Sequence, residues 1–282
     1  MVRPSALLAS AADRLRAAGV ASPEADARTL LAWAMGVETW QLATEMADEA
    51  DAARFDGLVD ARAAGRPLQY LTGVAYFRTI SLAVGPGVFI PRPETETMVG
   101  WAIDRLAGWA KPGAPVVVEL CAGSGAISLA IAAERPGCHQ FAVESADAAF
   151  AWLVRNCGEA GPVQLVHADM ADALSELDGT VDLVIANPPY VPERDRHLVA
   201  DDVLAHEPAG ALFAGPDGLD AVAVVAQVAA RLLRRGGLLA CEHDDSQGAS
   251  APALVAADGS FDQVEDHVDL VGRPRYVTAR RR

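Results

Sequence analysis

The region from about residue 91 to the C-terminus alternates apolar strands with helices, and this alternation limits the possible folds more than any other feature. PVVVEL at 115–120 precedes a helical pattern at 125–134, and HQFAVE at 139–144 precedes another at 145–157. Further strands are predicted at 163–169, 181–187, 237–243, 262–268 and 274–279, and a further helix at 217–234. Strands that alternate with helices form a parallel, doubly wound sheet, because each crossover helix covers one of its faces. The sequence therefore predicts an α/β fold for this region.

The N-terminal region has the 3.6-residue period of amphipathic helices instead. Leu8 and Leu15 fall on one helical face, and glycines follow the apolar stripes where helices end. The next stretch, GVAYFRTISLAVGPGVFI, alternates with the period of a strand and contains a Gly-Pro-Gly turn. We therefore expect a helical-bundle domain at 1–72, a linking β-hairpin at 73–90 and the α/β domain at 91–282.

Composition excludes several classes of protein. The formal net charge is −15, whereas proteins that grip nucleic acid through its phosphates usually present a basic face. The four cysteines are scattered without a CxxC pair, and the six histidines have no metal-ligand spacing. No apolar run approaches the roughly 18 residues of a membrane span. We expect a cytoplasmic protein without a metal site, a membrane span or stable nucleic-acid binding.

The loop after the first predicted strand of the α/β region, ELCAGSG, has the composition of a cofactor site. Gly123 and Gly125 allow a ligand to approach the backbone closely, and Glu144, at the end of the next strand, is placed for ribose hydroxyls. The acid before the loop, Glu119, suits a cofactor with a cationic amino-acid part. The pattern GxGxxS, ending at Ser128, lacks the third glycine of the NAD fingerprint. The loop favours S-adenosylmethionine over NAD and over a purely structural turn.

A second motif, Asn-Pro-Pro-Tyr, follows the strand VDLVIAN at the same predicted edge of the sheet. Asn187 offers a side-chain carbonyl, and Pro188 offers a backbone carbonyl with no N–H beside it, since Pro189 also lacks a donor. Tyr190 offers a flat face for a planar group. Two acceptors and an aromatic face suit a planar, conjugated –NH₂, either a carboxamide or the exocyclic amine of adenine or cytosine. A rigid turn is the structural alternative.

These features together predict methyl transfer to such a nitrogen. Holding both hydrogens orients the nitrogen towards a sulfonium methyl, and this positioning lowers the barrier by several kcal/mol. A carboxylate would leave the two acceptors unpaired and would be rejected, so the site selects an amide over its acid. No general base is obvious, and the proton of the product is free to leave to water.

Five segments resemble the PrmC/HemK family of protein methyltransferases, over nearly the whole chain. The segments are QYLTG at 69–73, FIPRPETE at 89–96, ELCAGSG at 119–125, NPPY at 187–190 and the Glu-Pro pair at 207–208 with the glycines that follow. NPPY alone is weak, because adenine-N6 methyltransferases share it, whereas the IPRPxTE signature is very specific. The family methylates the side-chain amide nitrogen of the glutamine in the Gly-Gly-Gln motif of class 1 peptide-chain release factors.

The resemblance implies a class I, Rossmann-like methyltransferase sheet with a small N-terminal helical domain that contacts the release factor. It implies S-adenosyl-L-methionine as cofactor, S-adenosyl-L-homocysteine as product, and roles for individual residues. The implied cofactor-binding residues are Glu119, Cys121, Ala122, Gly123, Gly125, Glu144, Asp169, Met170 and Asn187, with Glu144 on the ribose and Asp169 and Met170 beside the adenine. The implied catalytic residues are Asn187, Pro188, Pro189 and Tyr190. The implied substrate-binding residues are Asn187, Pro188, Tyr190, Arg92, Pro93 and Glu94.

Three residues depart from the family pattern. Cys121 stands where many relatives have glycine, Glu144 replaces the more usual aspartate, and Met170 stands where some relatives have an aromatic residue. None of these changes removes a group that the reaction needs. The segment 191–216 is long for a structureless loop, and we expect it to border the substrate channel. A ribosomal-protein glutamine, and less readily a nucleic-acid adenine, are alternative acceptors.

Overall fold

The structure is a computed structural model that describes residues 2–108, 113–158, 161–257 and 259–282. The chain divides into two compact units, one of Met1–Val74 with Ala200–His206 and one of Ala75–Val199 with Glu207–Arg282. Compared with the boundaries expected from the sequence, most of the hairpin falls in the second unit, and residues 200–206 fall in the first.

Helices make up the first unit and flank the sheet of the second. The α-helices are α1 (Pro4–Ala17), α2 (Pro23–Met35), α3 (Glu49–Ala63), α4 (Leu68–Thr72), α5 (Thr95–Ala107), α6 (Ala126–Glu134), α7 (Asp147–Cys157), α8 (Asp201–His206), α9 (Asp220–Leu232) and α10 (Ser250–Ala257). Proline begins both α1 and α2, where the missing N–H has no helical partner to lose. In the first unit, Leu15, Leu30 and Val59 are fully buried between α1, α2 and α3. Among the described residues, no helix is both long and apolar enough to cross a membrane.

The strands form two sheets. They are β1 (Val74–Phe77), β2 (Ile80–Ala83), β3 (Val116–Leu120), β4 (His139–Glu144), β5 (Val163–His167), β6 (Val181–Ala186), β7 (Leu233–Glu242), β8 (Phe261–Val268) and β9 (Pro274–Arg281). β1 and β2 form the hairpin, and the others form a sheet in the order β5-β4-β3-β6-β7-β9-β8. β5, β4, β3, β6 and β7 are parallel, and β9 and β8 extend the sheet antiparallel. The predicted fold class is confirmed.

Burial on both faces explains why the central strands are apolar along most of their length. All six residues of β6 are buried, as expected for a strand with helices on either side. The register pairs Leu120 with Ala186 on β6 and with Val143 on β4. The loops that follow β3, β4 and β6 therefore leave the sheet at one edge, which brings the predicted cofactor loop and the NPPY motif together.

The segment after NPPY is structured over much of its length. It contains 3-10 helices at Glu193–Leu198 and Ala209–Ala211 as well as α8. Val191 pairs with Phe213 in an isolated parallel bridge, which closes the segment back on itself. The sequence predicted a loop here because the short helices carry no apolar period long enough to recognise.

Candidate active site

A cavity of about 380 Å³ opens at the carboxyl edge of the sheet. The loops after β3, β4, β5 and β6 contribute to its lining, together with Phe77, Phe89 and Pro91 before α5 and with residues 208 and 210–212. This position matches the general rule that ligands of open α/β sheets bind outside the carboxyl ends of the strands.

The two glycines of the loop after β3 have different structural roles. Gly123 lines the cavity and has φ 54°, with open space where a Cβ would lie. Gly125 has φ 82° and is the N-cap residue of α6, and a Cβ there would lie 2.7 Å from Cδ1 of Leu153. Gly123 therefore leaves room for a ligand, whereas Gly125 allows the loop to pack against α7.

Cys121 adopts the left-handed backbone conformation, with φ 58°. A side chain in that region costs on the order of 1 kcal/mol, a strain that glycine would not carry. Its Sγ lies 3.6 Å from Sδ of Met170, so the two sulfur-containing residues that depart from the family pattern are in contact. Burial raises the pKa of the Cys121 thiol to about 12. The thiol is therefore neutral and forms part of the cavity lining.

Glu119 is a buried carboxyl that faces the cavity from the end of β3. It accepts hydrogen bonds from the backbone N–H of Ser128, at 2.9 Å, and from the Ser128 hydroxyl. Burial raises the pKa of Glu119 to about 8, and these hydrogen bonds offset part of that shift. A cation placed beside this carboxyl would favour its ionised form.

Glu144 is held by the backbone around it. Its Oε2 accepts the N–H of Gly123 at 2.8 Å, and its Oε1 accepts the N–H groups of Ser145 and Ala146 at 2.9 and 2.8 Å. A carboxylate has about four acceptor positions, so one remains on Oε2. The longer glutamate side chain thus fixes the cofactor loop and keeps one acceptor position.

Asn187 lines the cavity and has a fixed amide orientation. Its Nδ2 donates to Oγ1 of Thr95 at 3.2 Å, so Oδ1 remains as an acceptor. Pro189 and Tyr190 also line the cavity, whereas Pro188, between Asn187 and Pro189 in the chain, is buried. Thr95, the threonine of the IPRPETE segment, was not singled out from the sequence.

Tyr190 is held at both ends by residues from distant segments. Its hydroxyl donates to Oε1 of Glu242 at 2.9 Å, and its backbone carbonyl accepts Nε2 of Gln247 at 3.0 Å. A Cβ at Gly218 would lie 2.1 Å from the same carbonyl oxygen, so only glycine fits there. The one sequence signal for Glu242 was an acid that ends a buried strand, in GLLACEH. Glu144 was predicted as a cofactor-binding residue from the same kind of position, at the end of a strand.

The IPRPETE segment is organised by a buried acid. Oε2 of Glu207 accepts the N–H of Ile90 at 3.1 Å, and its Oε1 forms an ion pair with Arg92. The Arg92 guanidinium also lies 4.7 Å from the centre of the Phe89 ring. Arg92 and Glu94 line a second, smaller cavity of about 230 Å³. Glu207 thus ties the IPRPETE segment to the Glu-Pro pair at 207–208.

The structure brings most of the sequence-predicted site residues to the larger cavity. Those in its lining are Glu119, Cys121, Ala122, Gly123, Glu144, Asp169, Met170, Asn187, Pro189 and Tyr190. Gly125 and Pro188 lie beside lining residues in the chain, and Pro93 lines neither cavity. The Asp169 side chain accepts the N–H of Ala171 at 2.9 Å.

Two solved structures illustrate the similarity in fold. One is the T. thermophilus 16S rRNA N2 G1207 methyltransferase (RsmC) in complex with AdoMet and guanosine, with TM-score 0.51 and 22% identity over 74% of this chain and 50% of that one. Another is the hMettl16 catalytic domain in complex with the MAT2A 3'UTR hairpin 6, with TM-score 0.57 and 14% identity over 79% of this chain and 81% of that one. A model of the methyltransferase small domain matches residues 110–215. Fold and site thus define a Rossmann-like methyltransferase.

The family follows from closer relatives. A model of the PrmC N-terminal domain matches residues 6–73. The release factor glutamine methyltransferase of Streptomyces coelicolor is 45% identical over 97% of this chain and 96% of its own length. That of Mycolicibacterium smegmatis is 44% identical over 100% and 99%. The chain belongs to the release factor glutamine methyltransferase family, which confirms the resemblance. A Streptomyces pristinaespiralis relative, 40% identical over 90% and 87%, is named a 4-amino-L-phenylalanine/4-methylamino-L-phenylalanine methyltransferase.

Proposed function

We propose that this protein transfers a methyl group from S-adenosyl-L-methionine to the side-chain amide nitrogen (N5) of the glutamine in the Gly-Gly-Gln motif of class 1 release factors. The observation that carries the proposal is the fixed amide of Asn187, whose Nδ2 is engaged by Thr95 and whose Oδ1 remains as an acceptor on a side chain that lines the cavity. Family membership supplies the protein substrate.

The residues after β3 and β4 fit S-adenosyl-L-methionine by their charge. Glu119 is a buried carboxyl whose pKa is raised by burial and by the charge of Glu144, and a cationic amino-acid part would oppose both effects. We assign the remaining acceptor of Glu144 to the ribose hydroxyls and Asp169 with Met170 to the adenine. The cofactor supplies an electrophilic methyl group on a sulfonium.

The acceptor half of the site selects an uncharged, planar –NH₂. Oδ1 of Asn187 and the backbone carbonyl of Pro188 accept the two hydrogens of the amide, and the Tyr190 ring supports its plane. A glutamate in the same position would set a carboxylate against two acceptors, which is unfavourable by about 1–3 kcal/mol for each buried group left unpaired. The proton released on methylation passes to water.

Other acceptors share this chemistry. The arylamine of 4-amino-L-phenylalanine, named for the Streptomyces pristinaespiralis relative, is also a conjugated –NH₂. The match of residues 6–73 to the PrmC N-terminal domain, and the closer identity to two release factor enzymes, favour the release factor. A ribosomal-protein glutamine fits the same site. With a protein of the translation apparatus as substrate, we place the enzyme in the cytoplasm and expect no stable nucleic-acid binding.

Transfer of a labelled methyl group tests the proposal. The full-length protein is incubated with S-adenosylmethionine and one of five acceptors. These are purified release factor, the same factor with Gly-Gly-Glu, total RNA or DNA, ribosomal proteins and 4-amino-L-phenylalanine. Label on the Gly-Gly-Gln factor alone is the expected result. The proposal would be contradicted if nucleic acid, ribosomal protein or the arylamine were labelled in preference to the release factor. It would also be contradicted if the Gly-Gly-Glu form were labelled as strongly as the Gly-Gly-Gln form.

A further inference from the structure

Glu242 is a fully buried carboxyl that the proposed methyl transfer leaves without a role. It ends β7, next to β6, with no exposed surface. One of its oxygens, Oε2, makes no well-aligned hydrogen bond to any residue in the described parts of the chain. Burying a carboxylate is costly unless it is paired and hydrogen-bonded, so its retention beside a catalytic motif suggests a function.

The Glu242 carboxyl interacts with two neighbours that both reach the NPPY motif. Its Oε1 accepts the hydroxyl hydrogen of Tyr190 at 2.9 Å. The hydroxyl of Thr95 lies beside the carboxyl and lowers its pKa. The same Thr95 oxygen is 3.2 Å from Nδ2 of Asn187. One buried acid is therefore linked to both the first and the last residue of the motif.

The order of donors and acceptors in this chain of contacts follows from what each group can offer. An ionised carboxylate only accepts, so both hydroxyls must point their single hydrogens at Glu242. The Thr95 oxygen is then left to accept, and the only part of the Asn187 amide that can donate to it is the –NH₂. Oδ1 of Asn187 is consequently the atom left for the substrate.

We propose that Glu242 is a positioning residue that, acting through Thr95 and Tyr190, sets the orientation of the Asn187 amide and thereby the preference for a glutamine over a glutamate. The inference rests on the proposed function, because it explains how that site is kept as an acceptor of two hydrogens. Glu242 itself touches no substrate.

Ionisation of Glu242 is part of this arrangement. Burial raises its pKa to about 7, while the hydroxyls of Thr95 and Tyr190 and the positive charge of Arg275 oppose the shift and Glu94 adds to it. Arg92 lines the same small cavity. When the carboxyl is protonated it carries an O–H that donates to Thr95, and Thr95 then donates to Oδ1 of Asn187. The amide can then present its –NH₂ to the substrate instead.

Glu242→Gln tests the proposal without changing the shape of the side chain. The Gln –NH₂ can donate to Thr95 and allow the reversed order, so we expect kcat to fall on the order of a hundred-fold. The dissociation constant of S-adenosylmethionine should not change. The wild type should lose activity below about pH 7 as Glu242 becomes protonated, and this loss should be absent in the variant. Binding of the Gly-Gly-Glu release factor should strengthen relative to the Gly-Gly-Gln form.

Thr95 provides a matched pair of variants. Thr95→Ser keeps the hydroxyl and should retain kcat within a few-fold, whereas Thr95→Val removes it at nearly constant volume and should reproduce most of the Glu242→Gln defect. Because the two residues act in one chain of contacts, the double variant Glu242→Gln with Thr95→Val should be little worse than either alone.

Several outcomes would overturn the inference. The inference fails if Glu242→Gln keeps the kcat of the wild type and still loses activity at acidic pH. It also fails if Thr95→Ser and Thr95→Val lower kcat equally. A lowered melting temperature together with weakened cofactor binding would show a merely structural role. If the wild type methylates no release factor, the proposed function fails separately. The preference for glutamine over glutamate can then still be measured by direct binding of short Gly-Gly-Gln and Gly-Gly-Glu peptides. If wild type and Glu242→Gln showed the same preference, the positioning role of Glu242 would be refuted.

Discussion

The two halves of the cavity are built in different ways. In the cofactor half, the contacts span short stretches of sequence: Glu119 is held by Ser128, nine residues later, and Glu144 by Gly123, 21 residues earlier, and by the two residues that follow it. In the acceptor half they are distant: Asn187 contacts Thr95 across 92 residues, and Tyr190 contacts Glu242 across 52. Local backbone geometry therefore shapes one half, and the packing of separate segments shapes the other.

This difference suggests why the cofactor half is less dependent on the rest of the fold than the acceptor half. A glycine loop with nearby carboxylates binds a small cofactor wherever the strand–loop–helix unit is kept. The acceptor half depends on α5, β7 and the segment after NPPY, so its selectivity can be altered without disturbing the cofactor. The four predictions that follow are ordered by expected effect and test whether the two halves are separable.

Asn187→Ala should cause the largest change, a fall in kcat on the order of a hundred-fold, because the acceptor that orients the amide is removed. Cofactor affinity, measured by calorimetry, should remain near that of the wild type. The reciprocal variant Glu144→Ala should weaken cofactor binding with a smaller effect on turnover at saturation. If Asn187→Ala kept full activity, or if both variants had the same effect, the two halves would not be separable.

Gly218→Ala should lower the free energy of unfolding by about 2 kcal/mol or more, because its φ of 76° is strained for a side chain and the Cβ would contact the carbonyl oxygen of Tyr190. Activity should fall as well, since NPPY must move. Gly57→Ala is the matched control: its Cβ meets nothing within 4 Å in α3, and it should be neutral or slightly stabilising. Chemical denaturation measures both, and equal effects would refute the contact.

The pH dependence of cofactor binding should report Glu119. Its pKa in the folded protein, about 8, lies above the ordinary value, so its contribution to stability is fully present below about pH 4.5 and is lost as pH rises through 8. Binding of a cation favours the ionised form, so cofactor affinity should increase by several-fold between pH 7 and 9. Calorimetry in buffers of different ionisation enthalpy should detect proton release. Glu119→Gln should abolish both effects, and an unchanged profile in that variant would assign them elsewhere.

Cys121→Gly should have the smallest effect, a stabilisation of about 1 kcal/mol or less, because relief of the left-handed strain is partly offset by the greater freedom of glycine in the unfolded chain. The contact with Met170 is lost at the same time, so cofactor affinity should change by no more than a few-fold. Thermal denaturation with and without cofactor separates these effects. Clear destabilisation would mean that the sulfur contact matters more than the backbone strain.

Sequence patterns were sufficient for the parallel sheet, because largely apolar strands alternate with helices along the α/β region. They were less accurate for β7, which begins at Leu233 rather than at 237, and for the short helices between 191 and 216. Single turns of helix are stabilised by their surroundings and leave little periodicity to read. Most of the cofactor loop was predictable for the same reason as the sheet, since its residues are neighbours in the chain.

The sequence by itself determined the fold class, the cofactor loop and the chemical character of NPPY, because these depend on local propensity and on which groups each residue can donate or accept. Only the tertiary structure decided which way the Asn187 amide points and what holds Tyr190. Those features depend on Thr95, Glu242 and Gln247, which meet the motif only after the sheet has assembled. A hydrogen bond between residues tens of positions apart leaves no period or spacing in a single sequence, and its geometry exists only in the folded chain.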